Sequence, residues 1–320
     1  MNRHKTIAYY GVIIALALST SGCLHLPPYR LKRRKVFIPL TTPVCPPENP
    51  SKEHSISIWI HGTRLIPRPI LFNYFYSKPG LHHASVLNQN CYLLRELADT
   101  ITNTDPQRFP FDNFYIFGWS GELSERTRKE AALELYQQLK ELTVSYYEKY
   151  KVKPNIRLIT HSHGGNVALN LTQVKNHLDK EFTIKELILL ACPVQKKTMD
   201  YIHDPLFEKI YALYSSLDLW QVLAPQFLYR TEVHIKNKKV IRSKMPLFSE
   251  RRFPSNPKLA QIKIKINGNA IFHSKFTSSK FMQLLPSILD EVTTWQKEEP
   301  QYPYDKPDTK RLLSISTKQR

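Results

Sequence analysis

The chain has 320 residues, of which 42% are hydrophobic and 11% aromatic, so its composition excludes a disordered chain and allows a large core. The formal net charge is +19 at pH 7, but the sequence has no zinc-finger spacing, RNA-binding signature or basic amphipathic helix. We therefore expect no nucleic-acid partner, and we attribute the charge to attraction to anionic lipid or to solubility.

Residues 1–23 have the composition of a targeting segment. Positive charge in MNRHKTIAYY is followed by the apolar run GVIIALAL and by the small residues STSGC, which end at Cys23. This order resembles a bacterial lipobox, and the resemblance implies lipidation at Cys23 and a membrane-associated bacterial lipoprotein. An uncleaved anchor over residues 7–24 stays open as the alternative, since that length is near the lower limit for a membrane span.

The rest of the chain divides into three segments. Residues 24–51 are basic and rich in proline, which predicts a tether. Residues 52–298 alternate between apolar runs and amphipathic stretches, which predicts one folded domain. Residues 299–320 are dominated by Pro, Lys and Asp, so we expect a disordered basic tail outside the fold.

Strands and helices alternate within the predicted domain. Apolar and β-branched runs predict strands at Ser55–His61, Asn113–Trp119, Asn155–His161, Leu187–Cys192, Lys209–Ser215 and Leu259–Ile266. Helical spacing predicts helices at Glu125–Tyr147, Gly164–His177 and Ser278–Trp295. The stretch TEVHIKNKKVIRS predicts a hairpin. This order indicates an α/β fold with a mostly parallel sheet and helices on both faces.

The stretch LITHSHGGN, residues 158–166, allows two main interpretations. In the first, His161 and His163 begin a metal site of the HxHxDH type. The positions that would complete such a site are Gly165 and Asn166, and two imidazoles do not make a catalytic zinc site, which needs three protein ligands. The sequence therefore disfavours the metal site, and we expect no bound metal.

In the second interpretation, Ser162 is a nucleophile on a sharp strand-to-helix turn. It follows the apolar run IRLIT and precedes the helical run NVALNLTQV, and Gly164 and Gly165 supply the small neighbours that such a turn needs. Thr160 stands where the G-x-S-x-G motif has its first glycine. A serine with no catalytic task in a glycine-rich turn is the remaining alternative.

With these motifs, residues 55–297 resemble the α/β-hydrolase superfamily of lipases and esterases. The resemblance rests on HSHGG around Ser162 and on the segment WIHGT, which ends at Thr63. It implies that the backbone N–H of Thr63 or its neighbour and that of His163 form an oxyanion hole. It also implies a serine nucleophile followed along the chain by an acid and then by a histidine.

The order of the triad narrows the candidates for the base and the acid. Of the histidines after Ser162, His273 follows the last predicted strand, where this family has its base. Asp218 comes shortly after the fifth predicted strand and is the favoured acid. Asp200 and Asp204 are its rivals. Ser120, in FGWSGE, lacks the second glycine of the motif, and we predict that it caps a helix or lines a pocket.

These residues predict a serine hydrolase of the esterase and lipase type that needs no cofactor. Its substrate would be an ester of an apolar acyl group or a lipid, because the segment Leu65–His83 is rich in aromatic residues and could line an apolar pocket or touch a membrane. The alternative is a catalytically silent, membrane-tethered lipoprotein that uses the same fold to bind a lipid or a protein.

The first testable prediction concerns Cys23. We expect Cys23→Ser to release the protein from membranes or to block its processing, because lipidation at this thiol would be the main attachment. One acyl chain holds a protein only marginally, and the basic run Arg30–Lys35 would supply the second contact. Membrane fractionation and intact mass measure this outcome. A variant that stays fully membrane-bound with an unchanged mass would leave the uncleaved anchor as the explanation.

Overall fold

The computed structural model describes residues 34–37, 54–63, 77–87, 91–175, 182–224, 231–236, 239–244, 248–298 and 312–317. Cys23 and most of the aromatic segment Leu65–His83 lie outside these ranges, so the predictions made for them stay predictions. No helix in the described part of the chain combines the length and the apolar content that a membrane span requires.

One sheet organises the described residues. The strands in chain order are β1 (Arg34–Phe37), β2 (Ser55–Ile60), β3 (Gly80–His83), β4 (Phe114–Gly118), β5 (Asn155–His161), β6 (Ile184–Leu190), β7 (Phe207–Tyr214), β8 (Thr231–Lys236), β9 (Lys239–Lys244), β10 (Leu259–Ile266), β11 (Asn269–Ala270) and β12 (Leu312–Thr317). The main sheet has the order β1-β12-β10-β7-β6-β5-β2-β4-β3, and β11 pairs with β10. Its pairs are parallel except β3 with β4 and β10 with β11. The predicted hairpin is confirmed as β8 and β9, which pair antiparallel.

Helices cover both faces of this sheet. They are α1 (Tyr92–Thr104), α2 (Glu125–Tyr150), α3 (Gly164–Lys175), the short α4 (Leu219–Leu223) and α5 (Ser279–Glu298). Neighbouring residues of one strand enter opposite cores, since Leu158 packs in the cluster of α2 and α3 whereas Ile159 packs in the cluster of α1 and α5. This alternation is the side-chain period of a strand that is buried on both faces. The predicted α/β architecture is confirmed.

The element boundaries agree closely with the prediction in most places. The strands β5 and β10 begin and end at the predicted residues, and α2 extends three residues further than expected, to Tyr150. The helix α1 was not predicted, although Leu94, Leu97, Ala98 and Ile101 bury one face at helical spacing. The short strand β3 at the antiparallel edge was not predicted either.

Two short strands lie outside the predicted domain. The strand β12 lies within residues 299–320, which we expected outside the fold, and it pairs with β10 along the length of that strand. The strand β1 lies within the predicted tether, residues 24–51, and pairs with β12. These strands lie outside the predicted domain, residues 52–298, whose boundaries stay a prediction. The sequence analysis did not predict these strands because proline and basic residues surround the short runs RKVF and LLSIST.

Candidate active site

The predicted catalytic residues follow three parallel strands in the middle of the sheet. Ser162 directly follows β5, Asp218 comes shortly after β7, and His273 comes shortly after β10 and β11. The carboxyl ends of parallel strands meet at one edge of a sheet, which is where α/β proteins bind ligands. The topology therefore brings all three residues to the same edge.

Ser162 occupies a strained turn between β5 and α3. Its φ angle is 53°, in the left-handed region that non-glycine residues rarely adopt. The Ser162 N–H donates to the carbonyl of Leu190 at 2.9 Å, and the N–H of Gly165 donates to the carbonyl of Ser162 at 3.0 Å. These bonds tie the turn to the neighbouring strand β6 and to the first turn of α3. A serine held in this geometry is typical of a nucleophile elbow.

Two glycines allow the loop after β2 to approach this turn. A Cβ at Gly62 would lie 2.7 Å from the Cβ of Ser162. A Cβ at Gly164 would lie 2.5 Å from the carbonyl oxygens of Ile60 and His61. Because real side chains do not approach so closely, both positions require glycine. The predicted donor Thr63 therefore belongs to a loop that is packed directly against the elbow.

Thr160 fits the position that is usually glycine in this motif. Its side chain is fully buried, and its hydroxyl donates to the carbonyl of Ile188 on β6 at 3.1 Å. The hydroxyl thus has a hydrogen-bond partner within the sheet, so its burial does not carry the free-energy cost of an unpaired polar group. The departure from the glycine pattern is compatible with the elbow geometry.

Asp218 and His273 form a buried acid–base pair. The Nδ1 of His273 lies 2.7 Å from the Oδ2 of Asp218, whose side chain is fully buried. The Oδ1 of Asp218 accepts from the N–H of Gln221 at 3.0 Å and so caps α4. With Nδ1 donating to the carboxylate, Nε2 of the neutral imidazole is left as the proton acceptor. This is the tautomer that a general base requires.

The rival acids have other surroundings. The Oδ1 of Asp204 accepts from the N–H of Leu206 at 2.7 Å and stabilises its own turn. Asp200 is exposed in a short 3₁₀ helix, Met199–His203. The structure therefore pairs His273 with Asp218, the favoured acid.

The serine and the histidine are close in the fold without being hydrogen-bonded. Among the described residues, the Ser162 hydroxyl has no hydrogen-bond partner. Its chain neighbour His161 lies against His273, with ring centroids 4.6 Å apart, and the Nε2–H of His161 donates to the carbonyl of His273 at 3.2 Å. Burial, followed by the nearby His273, lowers the pKa of His161 well below its ordinary value, so this ring is neutral. Catalytic hydrogen bonds are often long in unliganded sites and shorten when substrate binds.

His61 has a positioning task that the sequence did not reveal. Its Nε2 accepts from the N–H of Trp119 at 3.2 Å, and its Nδ1–H donates to the carbonyl of Gly62 at 2.8 Å. The indole N–H of Trp119 donates in turn to the carbonyl of His61 at 2.8 Å, and the two rings stack. These contacts fix the backbone that leads to Thr63. The oxyanion donors themselves, the N–H groups of Thr63 and His163, stay a prediction.

Ser120 does not cap the following helix. The N-cap of α2 is Ser124, whose hydroxyl accepts from the N–H of Thr127 at 3.4 Å. The hydroxyl of Ser120 accepts from the N–H of Glu122 at 3.4 Å, within its own loop. The prediction of a capping role for Ser120 is therefore wrong, because the helix begins one turn later than its position implied.

The two histidines of the metal interpretation belong to separate hydrogen-bond groups. His161 bonds to the backbone of His273, whereas the Nδ1 of His163 accepts from the side-chain amide of Asn166 at 3.4 Å. Within the described ranges, no group of three or more His, Cys, Asp or Glu residues is arranged to hold a metal ion. The metal interpretation finds no third ligand there.

Comparison with known proteins gives a partial match. Residues 128–227 match the family described as a PGAP1-like alpha/beta domain. This match begins on α2, includes Ser162 and Asp218, and ends before His273. The curated proteins contain no match to this chain.

Solved structures with which the chain can be compared include three hydrolases. Phospholipase PlaB from Legionella pneumophila, solved in complex with thio-NAD, has 18% identity and a TM-score of 0.27, over 43% of this chain and 25% of that one. Aspergillus fumigatus lipase B has 8% identity and a TM-score of 0.35, over 74% of this chain and 52% of that one. A thermostable esterase from Pseudomonas putida has 10% identity and a TM-score of 0.32, over 84% of this chain and 66% of that one. The chain thus spans a quarter of the first of these proteins and about half of the second. The fold class that the structure itself shows is α/β, with a mostly parallel sheet and helices on both of its faces.

The second testable prediction concerns the double task of Asp218. We expect Asp218→Ala to lower the free energy of unfolding by about 2 kcal/mol, because it removes both the cap of α4 and the buried acceptor of His273. Asp218→Asn keeps an oxygen for the cap and should cost less. Asp200→Ala is the matched control and should stay within about 0.5 kcal/mol of wild type. Urea unfolding measures all three, and equal values for Asp218→Ala and Asp200→Ala would contradict the assignment.

Proposed function

We propose that the protein is a serine hydrolase that cleaves a carboxylic ester of an apolar acyl group or a lipid. The observation that carries this proposal is the bond between Asp218 and His273 at the sheet edge that also presents Ser162 on its strained turn. A buried carboxylate that orients a histidine near a serine on such a turn is the arrangement that activates a serine hydroxyl.

In the proposed reaction, the Oγ of Ser162 attacks the acyl carbon while the Nε2 of His273 removes its proton. The carbonyl oxygen becomes an oxyanion, which accepts hydrogen bonds from the N–H groups of Thr63 and His163. The imidazolium of His273, stabilised by Asp218, then protonates the leaving alkoxide, and an acyl-enzyme remains. Water attacks that ester while His273 again removes a proton, and the imidazolium then protonates the Oγ of Ser162 as the carboxylic acid leaves. No cofactor is needed for these steps.

An exposed apolar surface beside the site supports an apolar substrate. We call it the apolar rim, and it consists of Leu217, Leu219, Trp220, Phe248 and Phe272. The first three flank Asp218 along the chain, and Phe272, whose side chain is 63% exposed, precedes His273. Phe248 is held nearby because the N–H of Ser249 donates to the carbonyls of Val222 and Ala224 beside α4. Large apolar side chains that gather around one site indicate contact with an apolar partner.

The charge near the apolar rim favours an anionic lipid surface as the source of substrate. Residues 269–280 carry Lys275 and Lys280, both exposed, and contain no Asp or Glu. Arg251 lies beside the acid, since its Nη2 donates to the carbonyl of Asp218 at 3.2 Å. Basic side chains near such a surface add electrostatic attraction to the apolar contact. Attachment of the chain to a membrane through Cys23 is part of the proposal, and Cys23→Ser tests it.

A second candidate function is a catalytically silent lipid binder. The observation that favours it is the Ser162 hydroxyl, which makes no hydrogen bond to His273 or to any other described residue. A fluorophosphonate probe separates the two candidates, because it reacts only with an activated serine. Labelling of Ser162 that a metal chelator does not affect supports the hydrolase, and absence of labelling supports the binder.

The third testable prediction concerns the triad. We expect Ser162→Ala and His273→Ala each to lower kcat on a short-chain aryl ester by about 10³-fold or more, since the nucleophile is either absent or not activated. The double variant should lose little more, because the two residues act as one unit. Asp218→Asn should be severe but milder. Ser120→Ala is the control and should keep most of the activity. An active Ser162→Ala protein would end the hydrolase assignment.

The fourth testable prediction concerns the apolar rim. We expect the double variant Trp220→Ser/Phe272→Ser to lose about ten-fold in the rate on an ester presented in phosphatidylglycerol vesicles, because it removes apolar area that contacts the lipid. The rate on a water-soluble aryl ester should stay within about three-fold of wild type. Val86→Ser, which changes an exposed side chain outside the rim, is the control. An equal loss on both substrates would show that the rim acts on the site and not on lipid contact.

A further inference from the structure

A buried network of polar side chains leads from α2 to the elbow. It begins on α2, where the Nη2 of Arg128 donates to the Oε1 of Gln195 at 3.0 Å. The N–H of Thr198 donates to the carbonyl of Gln195 at 3.0 Å, and the hydroxyl of Thr198 donates to the Oδ1 of Asn166 at 2.6 Å. The amide of Asn166 donates to the Nδ1 of His163 at 3.4 Å. A continuous path of contacts therefore joins Arg128 to the residue that follows Ser162.

Arg128 is a buried cation without a matching carboxylate among the described residues. Its side chain is buried, and its Nε and Nη1 atoms have no hydrogen-bond partner there. The carboxylate whose charge acts on Arg128 is Glu125, which already pairs with Lys197 at 2.9 Å and with Lys129 at 3.1 Å. The single carboxylate of Glu125 thus faces Arg128, Lys129 and Lys197. The region around the start of α2 therefore carries net positive charge. The positive end of the helix dipole adds to it.

This positive charge is present at neutral pH and is costly. Burial lowers the pKa of Arg128 to about 10, although the nearby Glu125 raises it, so the guanidinium stays protonated under physiological conditions. A buried charge that lacks a partner destabilises a fold, and an apolar side chain of similar volume is often neutral or stabilising in its place. Packing alone therefore does not account for an arginine at this position.

His163 connects this charge to the reaction. Since its Nδ1 accepts from Asn166, the proton of the neutral ring sits on Nε2, which has no partner in the described part of the protein. Burial, followed by the charge of Arg128, lowers the pKa of His163 well below its ordinary value, so the ring stays neutral. The backbone N–H of the same residue is a predicted oxyanion donor. The cation therefore acts on the residue that would meet the developing negative charge.

We propose that Arg128 is a positioning residue that stabilises the oxyanion through the His163 network, as a fixed positive charge behind the donor N–H. This role rests on the proposed hydrolase function. In a site with low dielectric, a fixed charge stabilises a developing opposite charge without reorganising, and it acts on the transition state more than on the neutral ester. Arg128 need not touch the substrate.

The test compares Arg128→Met, Arg128→Lys and Arg126→Met in the full chain. We expect Arg128→Met to lower kcat on a soluble aryl ester by about ten-fold or more with KM within about three-fold, because charge stabilisation is lost only in the transition state. Arg128→Lys keeps the charge and should recover most of kcat. Arg126→Met is the matched control on the same helix turn, since Arg126 is exposed and pairs with Glu130.

Thermal unfolding supplies a measurement that does not depend on activity. An uncompensated charge predicts that Arg128→Met has an unchanged or higher Tm than wild type, whereas an ordinary structural arginine predicts a lower one. A lower Tm overturns the proposal, as does an unchanged kcat, a rise in KM alone, or failure of Arg128→Lys to recover activity. If the wild-type protein neither hydrolyses esters nor reacts with a fluorophosphonate, the proposed function fails, and the Tm comparison still decides whether Arg128 is uncompensated.

Discussion

The close approach of the Gly62 loop to the Ser162 turn is the constraint on which the rest of the site depends. The strands β2 and β5 are parallel neighbours, and their register sets Ile60 opposite Thr160. Both strands therefore end at the same level. The two turns that follow them would clash if the residues at their contact carried side chains. Glycine at both contacts removes the conflict. The segment that contains Thr63 and the N-terminus of α3 then meet beside one serine.

Two buried groups of opposite charge are linked to the residues around this serine. Asp218 is buried behind His273, the group that gains positive charge when it accepts a proton. Arg128 is buried and is joined through three hydrogen-bonded residues to His163, the predicted oxyanion donor. Each buried charge is unfavourable by itself. In the proposed reaction the negative Asp218 would stabilise the positive charge on His273, and the positive Arg128 would stabilise the negative oxyanion. The site thus holds a separation of charge before any substrate binds.

Local sequence pattern predicted the parts of this arrangement that depend on one strand or one turn. The bounds of β5 follow from an apolar run that ends at a glycine-rich turn, and the pairing of His273 with Asp218 follows from chain order on a parallel sheet. The path from Arg128 to His163 joins residues that are distant in the chain and carry no common motif. The strand β12 was not predicted because polar and proline residues flank its apolar run. The helix α1 was not predicted because its amphipathic face, although present in the sequence, is short.

The direction of β1 determines how an anchored molecule could meet a membrane. Because β1, β12 and β10 are parallel, the chain enters β1 at the amino edge of the sheet, opposite the edge that presents Ser162 and the apolar rim. A strand of eight residues such as β10 is about 26 Å long at its usual rise. Residues 24–33, which would join a lipidated Cys23 to β1, reach at most about 35 Å when fully extended. A tether of this length barely exceeds the height of the sheet, so a protein anchored at Cys23 would tend to present its site away from its own bilayer, toward an opposing membrane or the intervening space.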